Sequence, residues 1–119
     1  MTTSQNAADL QMNAAGLYRE EVVTDRRVGS IRILTPVTAE GLTDSIRKVL
    51  YVGEAQMLTP GGVLPLAFDI EAGSLREAID KFAAGADAAV ERTLRELEAL
   101  RREASSSIIV PNSGLIQRP

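Results

Sequence analysis

The sequence of 119 residues contains no cysteine, no histidine and no tryptophan, and aromatic residues make up only 3% of it. Without cysteine the chain has no disulfides, no thiolate ligands for zinc or iron–sulfur clusters, and no thiol nucleophile. Without histidine it lacks the commonest general base and the commonest metal ligand. These absences exclude many classes of enzyme, and we expect no catalytic residues, no metal site and no cofactor.

The sequence also lacks a large charge imbalance and a long apolar run. Its 13 basic and 16 acidic residues give a net charge of -3, which offers no electrostatic attraction for nucleic acid or for an anionic membrane. No segment approaches the roughly 18 apolar residues that a membrane-spanning helix needs. The first 16 residues lack the basic and apolar regions of a secretory signal. We therefore expect a cytoplasmic protein without nucleic-acid or membrane partners.

The residues that are present have the composition of a folded protein, with 45% hydrophobic and 24% charged residues. Because large rings are scarce, the core must consist mainly of Leu, Ile, Val and Ala. Such a core buries little apolar area per residue, so a monomer would be only modestly stable. This is a first indication that apolar surface is buried between chains.

Turn residues and hydrophobic patterns divide the chain into a flexible N-terminal arm at 1–15, one α+β domain at 16–111, and a flexible tail at 112–119. Within the domain, β-type segments separated by turns predict a mostly antiparallel sheet of four to five strands. Pro65 lies inside the last of them, so either that strand lies at a sheet edge or Pro65 occupies an unpaired position. The predicted strand segments are 17–23, 30–36, 49–52 with 54–58, and 63–70.

One long amphipathic helix is predicted after the strands, at 75–104. Ser74 and Glu77 match the Ser-x-x-Glu capping box, and no proline interrupts the segment. Apolar residues recur at steps of three and four and form a stripe on one side. A helix of this length spans roughly 43 Å, more than the width of a small domain, so part of it must project.

The projecting part of this helix would expose apolar side chains unless another chain covers them. A run of apolar residues after the helix, 108–110, predicts a short terminal strand at about 107–110 that adds to a sheet edge of the same chain or of a neighbour. We therefore expect a homodimer or a higher homo-oligomer, with another protein as the alternative partner. The predicted interface residues are Val90, Leu94, Leu97, Leu100, Ile108, Ile109 and Val110.

Four arginines form the weaker candidate site. Guanidinium groups bind phosphates and carboxylates through paired donors, so Arg26, Arg27, Arg32 and Arg47 are candidate anchors for an anionic metabolite. Acidic residues close to them in sequence favour cross-strand ion pairs instead. Two interpretations stay open: a non-enzymatic assembly or interaction protein, and a small-molecule binding module with sites at subunit interfaces.

The composition, rich in Ala and Arg, resembles that of small bacterial proteins, and no function follows from this resemblance. A weak internal similarity relates Leu34-Thr35-Pro36 to Leu58-Thr59-Pro60 at a spacing of 24 residues. Such a repeat is typical of two similar hairpins, although so few identities also arise by chance.

Overall fold

The computed structural model describes residues 10–109, with side chains described as far as Ala104. The first nine residues of the predicted arm and the whole predicted tail at 112–119 lie outside this range. The first described element with defined bounds is a 3-10 turn, Ala14–Gly16, which leads into the sheet. Asn13 caps this turn, since its Oδ1 accepts a hydrogen bond from the Ala15 N–H at 3.1 Å.

Four antiparallel strands form one sheet, and their spatial order is the order of the chain. The predicted antiparallel sheet is thereby confirmed. The two segments predicted at 49–52 and 54–58 are one continuous strand, and the Pro65-containing strand lies at an edge, which was one of its two predicted placements. The strands are β1 Tyr18–Thr24, β2 Ser30–Pro36, β3 Leu50–Thr59 and β4 Gly62–Ile70.

Tight turns join β1 to β2 and β3 to β4. In the first turn the Asp25 carboxylate accepts hydrogen bonds from the N–H groups of Arg27 and Val28, each at 2.9 Å. Arg26 lies in the left-handed region with φ of 60°. In the second turn the Thr59 hydroxyl donates to the Gly62 carbonyl oxygen at 2.7 Å. Side-chain hydrogen bonds to the backbone therefore fix both hairpins.

Helix α1, Leu75–Ile109, follows the sheet. The Ser74 hydroxyl accepts a hydrogen bond from the Glu77 N–H at 3.2 Å, as the capping box predicts, whereas the Glu77 carboxylate accepts from the N–H of Gly73 instead of Ser74. Within the described residues, no helix combines the length and apolar character needed to cross a membrane.

The predicted end of this helix and the strand after it need correction. The helix continues past Ala104 to Ile109, so the terminal strand predicted at about 107–110 does not appear in the described residues, and Val110 lies outside them. Serine at 105–107 is only a moderately poor helix former, and the segment 105–109 contains no Gly or Pro. Nothing in it interrupts a helix that is already formed.

One face of the sheet packs against the first half of α1 and forms the core. Alternate residues of β4 point to this face, and Leu66, Phe68 and Ile70 are buried there. From the helix, Ala78 and Ala89 are buried against the same cluster. Small helical side chains let α1 lie close to the sheet, and the apolar face of α1 is thus divided between this core and the surface.

Candidate functional site

The two halves of α1 have different environments. Residues up to Thr93 alternate between buried, half-buried and exposed, because this half covers the sheet. Every residue from Leu94 to Ala104 is exposed. The second half therefore extends beyond its own sheet, which is what its length predicted.

Three leucines on this exposed half, Leu94, Leu97 and Leu100, form what we call the leucine stripe. Their exposed fractions are 54%, 42% and 60%. They are spaced by three residues, which places them close to one side of the helix. Val90, the fourth predicted interface residue within the described side chains, is half-buried at the point where the helix leaves the sheet. The side chains of Ile108, Ile109 and Val110 lie outside the described part.

A groove runs beside the first half of α1, between the helix and the β1–β2 hairpin. We call it the side groove, and its volume is about 410 Å³. Its lining is mainly apolar, and several of those side chains are exposed: Val23 at 37%, Val28 at 63% and Ile79 at 52%. The groove exists because α1 packs mainly on β3 and β4, which leaves the β1–β2 hairpin extending past one side of the helix.

The side groove and the leucine stripe share one side of α1. The groove includes Ile79 and Ala83, and steps of three or four residues lead from there through Ala86 and Val90 to Leu94 and Leu97. Such steps keep side chains on one side of a helix. The structure therefore contains one apolar surface that runs along α1 from Ile79 to Leu97 and widens into a groove beside the first half of the helix.

The four candidate arginines do not form one site. Arg26 and Arg27 are exposed in the β1–β2 turn. Arg32 lies on the opposite face of the sheet from α1, where its guanidinium pairs with Glu54 and lies 3.8 Å from Glu20. This arrangement matches the cross-strand ion pairs that the sequence favoured.

Arg47 lies at the other end of β1, where its guanidinium already has hydrogen-bond and ion-pair partners within the fold. Its guanidinium donates to the Leu17 and Val37 carbonyl oxygens, each at 2.9 Å, and pairs with Asp44 at 3.0 Å. It also lies 5.0 Å from the centroid of the Tyr18 ring. Because the seven residues of β1 span about 23 Å, Arg47 and the β1–β2 turn are too far apart to hold one small anion.

Three carboxyl groups have lowered pKa values, and each has a structural cause. The pKa of Asp25 is lowered by hydrogen bonds from the Val28 and Arg27 N–H groups. The pKa of Asp44 is lowered by the Arg47 side chain and then by the Ile46 N–H. The pKa of Glu77 is lowered by the Gly73 N–H and then by Lys81. All three stabilise turns or the helix start, so they have structural explanations.

The sequence reasoning missed the half of the apolar surface that lies beside the sheet. Val23 lies in a predicted strand, Val28 between two predicted strands and Ile79 in the predicted helix, so no single motif marks them as neighbours. The available signal was Val28, an apolar residue in an otherwise polar turn, together with the continuation of the stripe on the N-terminal side of Val90. No group of three or more Asp or Glu side chains in the described part is arranged to hold a metal ion.

Comparison of the chain with protein-family models, curated proteins and solved structures finds no match. Fold and surface together define an α+β protein in which a four-stranded antiparallel sheet carries one projecting amphipathic helix. The apolar surface along α1 is the feature from which a function can be proposed.

Proposed function

We propose that this protein is a non-enzymatic assembly or interaction protein that forms a homo-oligomer through α1. The single observation that carries this proposal is the exposure of Leu94, Leu97 and Leu100 on a helical half that its own sheet does not cover. Scattered exposed leucines are common on protein surfaces, but an aligned row that continues into an apolar groove is typical of an interaction site.

Burial of these side chains supplies a favourable free energy for association. Complete transfer of one leucine side chain from water to an apolar contact contributes about 1.5–3 kcal/mol. The polar residues between the leucines, among them Glu96 and Glu98, give this half of α1 an amphipathic character typical of a helix that packs on one side.

A second copy of the chain is the partner that this surface favours. In a two-fold symmetric dimer each chain contributes the same surface, so one apolar stripe on α1 provides both sides of the contact. Another protein with an amphipathic helix is the alternative partner, and the experiment below distinguishes the two. The face of the sheet that points away from α1 would remain available in such a dimer for further contacts.

The experiment is light scattering after size exclusion, at two protein concentrations, on the wild type and on a Leu94→Glu, Leu97→Glu double variant. We expect an oligomer for the wild type and a monomer for the variant, because two charges would be placed in the apolar contact. The matched control is Leu42→Glu, Ile46→Glu, since these side chains are 68% and 92% exposed on the β2–β3 connection. This control should keep the mass of the wild type.

A monomeric wild type at both concentrations would overturn self-association. Loss of assembly in the control but not in the leucine variant would place the contact elsewhere.

The anionic-metabolite alternative has weaker support, because Arg32 and Arg47 already have internal partners and only Arg26 and Arg27 lie together. A thermal-shift screen with inorganic phosphate and dicarboxylates addresses that alternative directly.

A further inference from the structure

The side of α1 that borders the side groove has a sequence pattern that is symmetric about Val90. Ala86 and Leu94 are each four residues from Val90, and Ala83 and Leu97 are each seven residues from it. Ile79 and Arg101 complete the pattern at eleven residues. When two such helices pack antiparallel about a two-fold axis, residues at equal distances from the axis lie opposite each other.

The residues related by this symmetry are complementary in size. On the half that covers the sheet, the positions nearest Val90 are alanines, and on the projecting half they are leucines. An antiparallel pair places Leu94 opposite Ala86 and Leu97 opposite Ala83, an alternation of large and small side chains that fills space well. A parallel pair would place alanine opposite alanine beside the side groove, and its volume of about 410 Å³ would stay unfilled.

The ends of the same surface are complementary in charge. Asp80 adjoins Ile79, and its side chain is exposed at 63% and lies 3.6 Å from Arg76. In the antiparallel arrangement Arg101 lies opposite the partner's Ile79 and beside the partner's Asp80. Two-fold symmetry repeats this contact at the other end. Opposite charges at both ends of an apolar contact favour one register over its neighbours.

We propose that two copies of the chain associate through antiparallel α1 helices about a two-fold axis near Val90, so that Leu97 of each copy enters the side groove of the other at Ala83 and Leu94 packs on Ala86 beside it. This inference rests on the proposed function and specifies its orientation, register and docking site. It also assigns a role to Val28, because the partner's leucines would contact the β1–β2 turn in which Val28 lies.

Disulfide trapping tests this geometry, and the absence of native cysteine makes the background clean. An Ala83→Cys, Leu97→Cys double variant would place two thiols opposite each other at each end of the dimer, within the Cα separation of about 4.4–6.8 Å that a disulfide needs. Within one chain these positions are 14 residues apart on a helix, or about 21 Å, so they cannot pair. We expect a covalent dimer on a non-reducing gel after mild oxidation.

Two controls accompany this variant. Leu97→Cys alone forms a cross-link only if the helices are parallel, because only then does Leu97 lie opposite its own copy. An Ile46→Cys, Leu97→Cys variant contains the same number of thiols with one placed on the β2–β3 connection, and it reports random collisions. Rapid cross-linking of the single variant, or equal rates for the two double variants, would overturn the proposed orientation.

Light scattering of the same proteins under reducing conditions distinguishes failure of self-association from failure of the antiparallel register. A monomeric wild type contradicts the proposed function itself, whereas a dimer with the wrong cross-link contradicts only the antiparallel register.

A charge exchange tests the same register without cysteine, for the case in which the cysteine substitutions themselves dissociate the dimer. Asp80→Arg and Arg101→Asp should each weaken the dimer about tenfold, and the two together should restore it. Failure of this restoration would contradict the register.

Discussion

The ring of Phe68 meets the ring of Phe82 edge-on, with centroids 5.2 Å apart and planes inclined by 65°. Phe68 belongs to β4 and Phe82 to α1, so this contact joins the sheet to the helix. Two glycines border the ring of Phe68: Gly53 on the neighbouring strand and Gly85 on the helix, where an added Cβ would lie 2.8 Å from Phe68 Cδ2. The bare backbone at both positions provides the space that the ring occupies.

Substitution of Gly53 by alanine should destabilise the protein by about 1–3 kcal/mol, because the new methyl group would overlap the Phe68 ring. Urea unfolding followed by circular dichroism measures this change. Gly61→Ala is the matched control, since the nearest side-chain atom to its added Cβ is Thr59 Oγ1 at 3.8 Å. A Gly53→Ala protein as stable as the Gly61→Ala protein would contradict this account of the core.

Replacement of Arg47 by methionine should lower the free energy of unfolding by about 1–3 kcal/mol. The change leaves the carbonyl oxygen of the buried Val37 without its donor, which is costly where water has poor access, whereas the Leu17 carbonyl oxygen keeps the Val37 N–H. Lys48→Met, at the adjacent exposed position, is the control and should have little effect. Equal urea midpoints for both variants would show that Arg47 does not hold the β2–β3 connection.

Ser74→Ala should cost about 1 kcal/mol, because the hydroxyl caps the first turn of α1 by accepting from the Glu77 N–H. Ser45→Ala, at an exposed position in the β2–β3 connection, provides a comparison with the same chemical change. Thermal unfolding of both variants decides the matter. If the two melting temperatures agree with each other, the cap does not stabilise the helix start.

Stability should fall in acid because three carboxyl groups have lowered pKa values in the folded protein. For a group of this kind the contribution to stability is present above the pKa of the unfolded chain and is lost as the pH falls through the folded pKa. Asp25 and Asp44 should therefore lose their contributions below about pH 3.9, and Glu77 below about pH 4.3.

The measurement for this prediction is the urea midpoint between about pH 7 and pH 2. Asp44→Asn should be less stable than the wild type near neutral pH, because its partner Arg47 loses an ion pair. The difference should shrink in acid, where the wild-type carboxylate is protonated as well. A difference that stays constant over this range would show that the charge of Asp44 contributes nothing.

The sequence predicted most of the fold because local patterns determine most of it. The capping box at Ser74 and Glu77 predicted where α1 begins, and Pro65 offered a sheet edge as one of two placements for β4, which is where β4 lies. The end of α1 was predicted too early, because three serines lower helix propensity without providing a break. The two Leu-Thr-Pro segments lie in different environments: Pro36 is fully buried at the end of β2, whereas Pro60 is exposed in a turn.

The candidate site was predicted only in part, for a physical reason. The exposed leucines follow from helix length and periodicity, which are local properties. The side groove depends on how far the β1–β2 hairpin extends past the helix, and this distance results from the packing of α1 on β3 and β4. Likewise, the pairing of Arg32 with Glu54 depends on strand register across 22 positions of sequence, which no short motif contains.

The chain-order arrangement of the strands affects how the protein can fold during synthesis. Each strand pairs with the strand made immediately before it, so the sheet requires closure of two tight turns and of the β2–β3 connection at 37–49, with no crossover between distant strands. The ribosome completes all four strands before it begins α1. A nascent sheet can therefore form early, with its apolar face still bare, and the emerging first half of the helix then covers that face. Its projecting half is made after the first, and in the proposed dimer a second copy binds only at that stage.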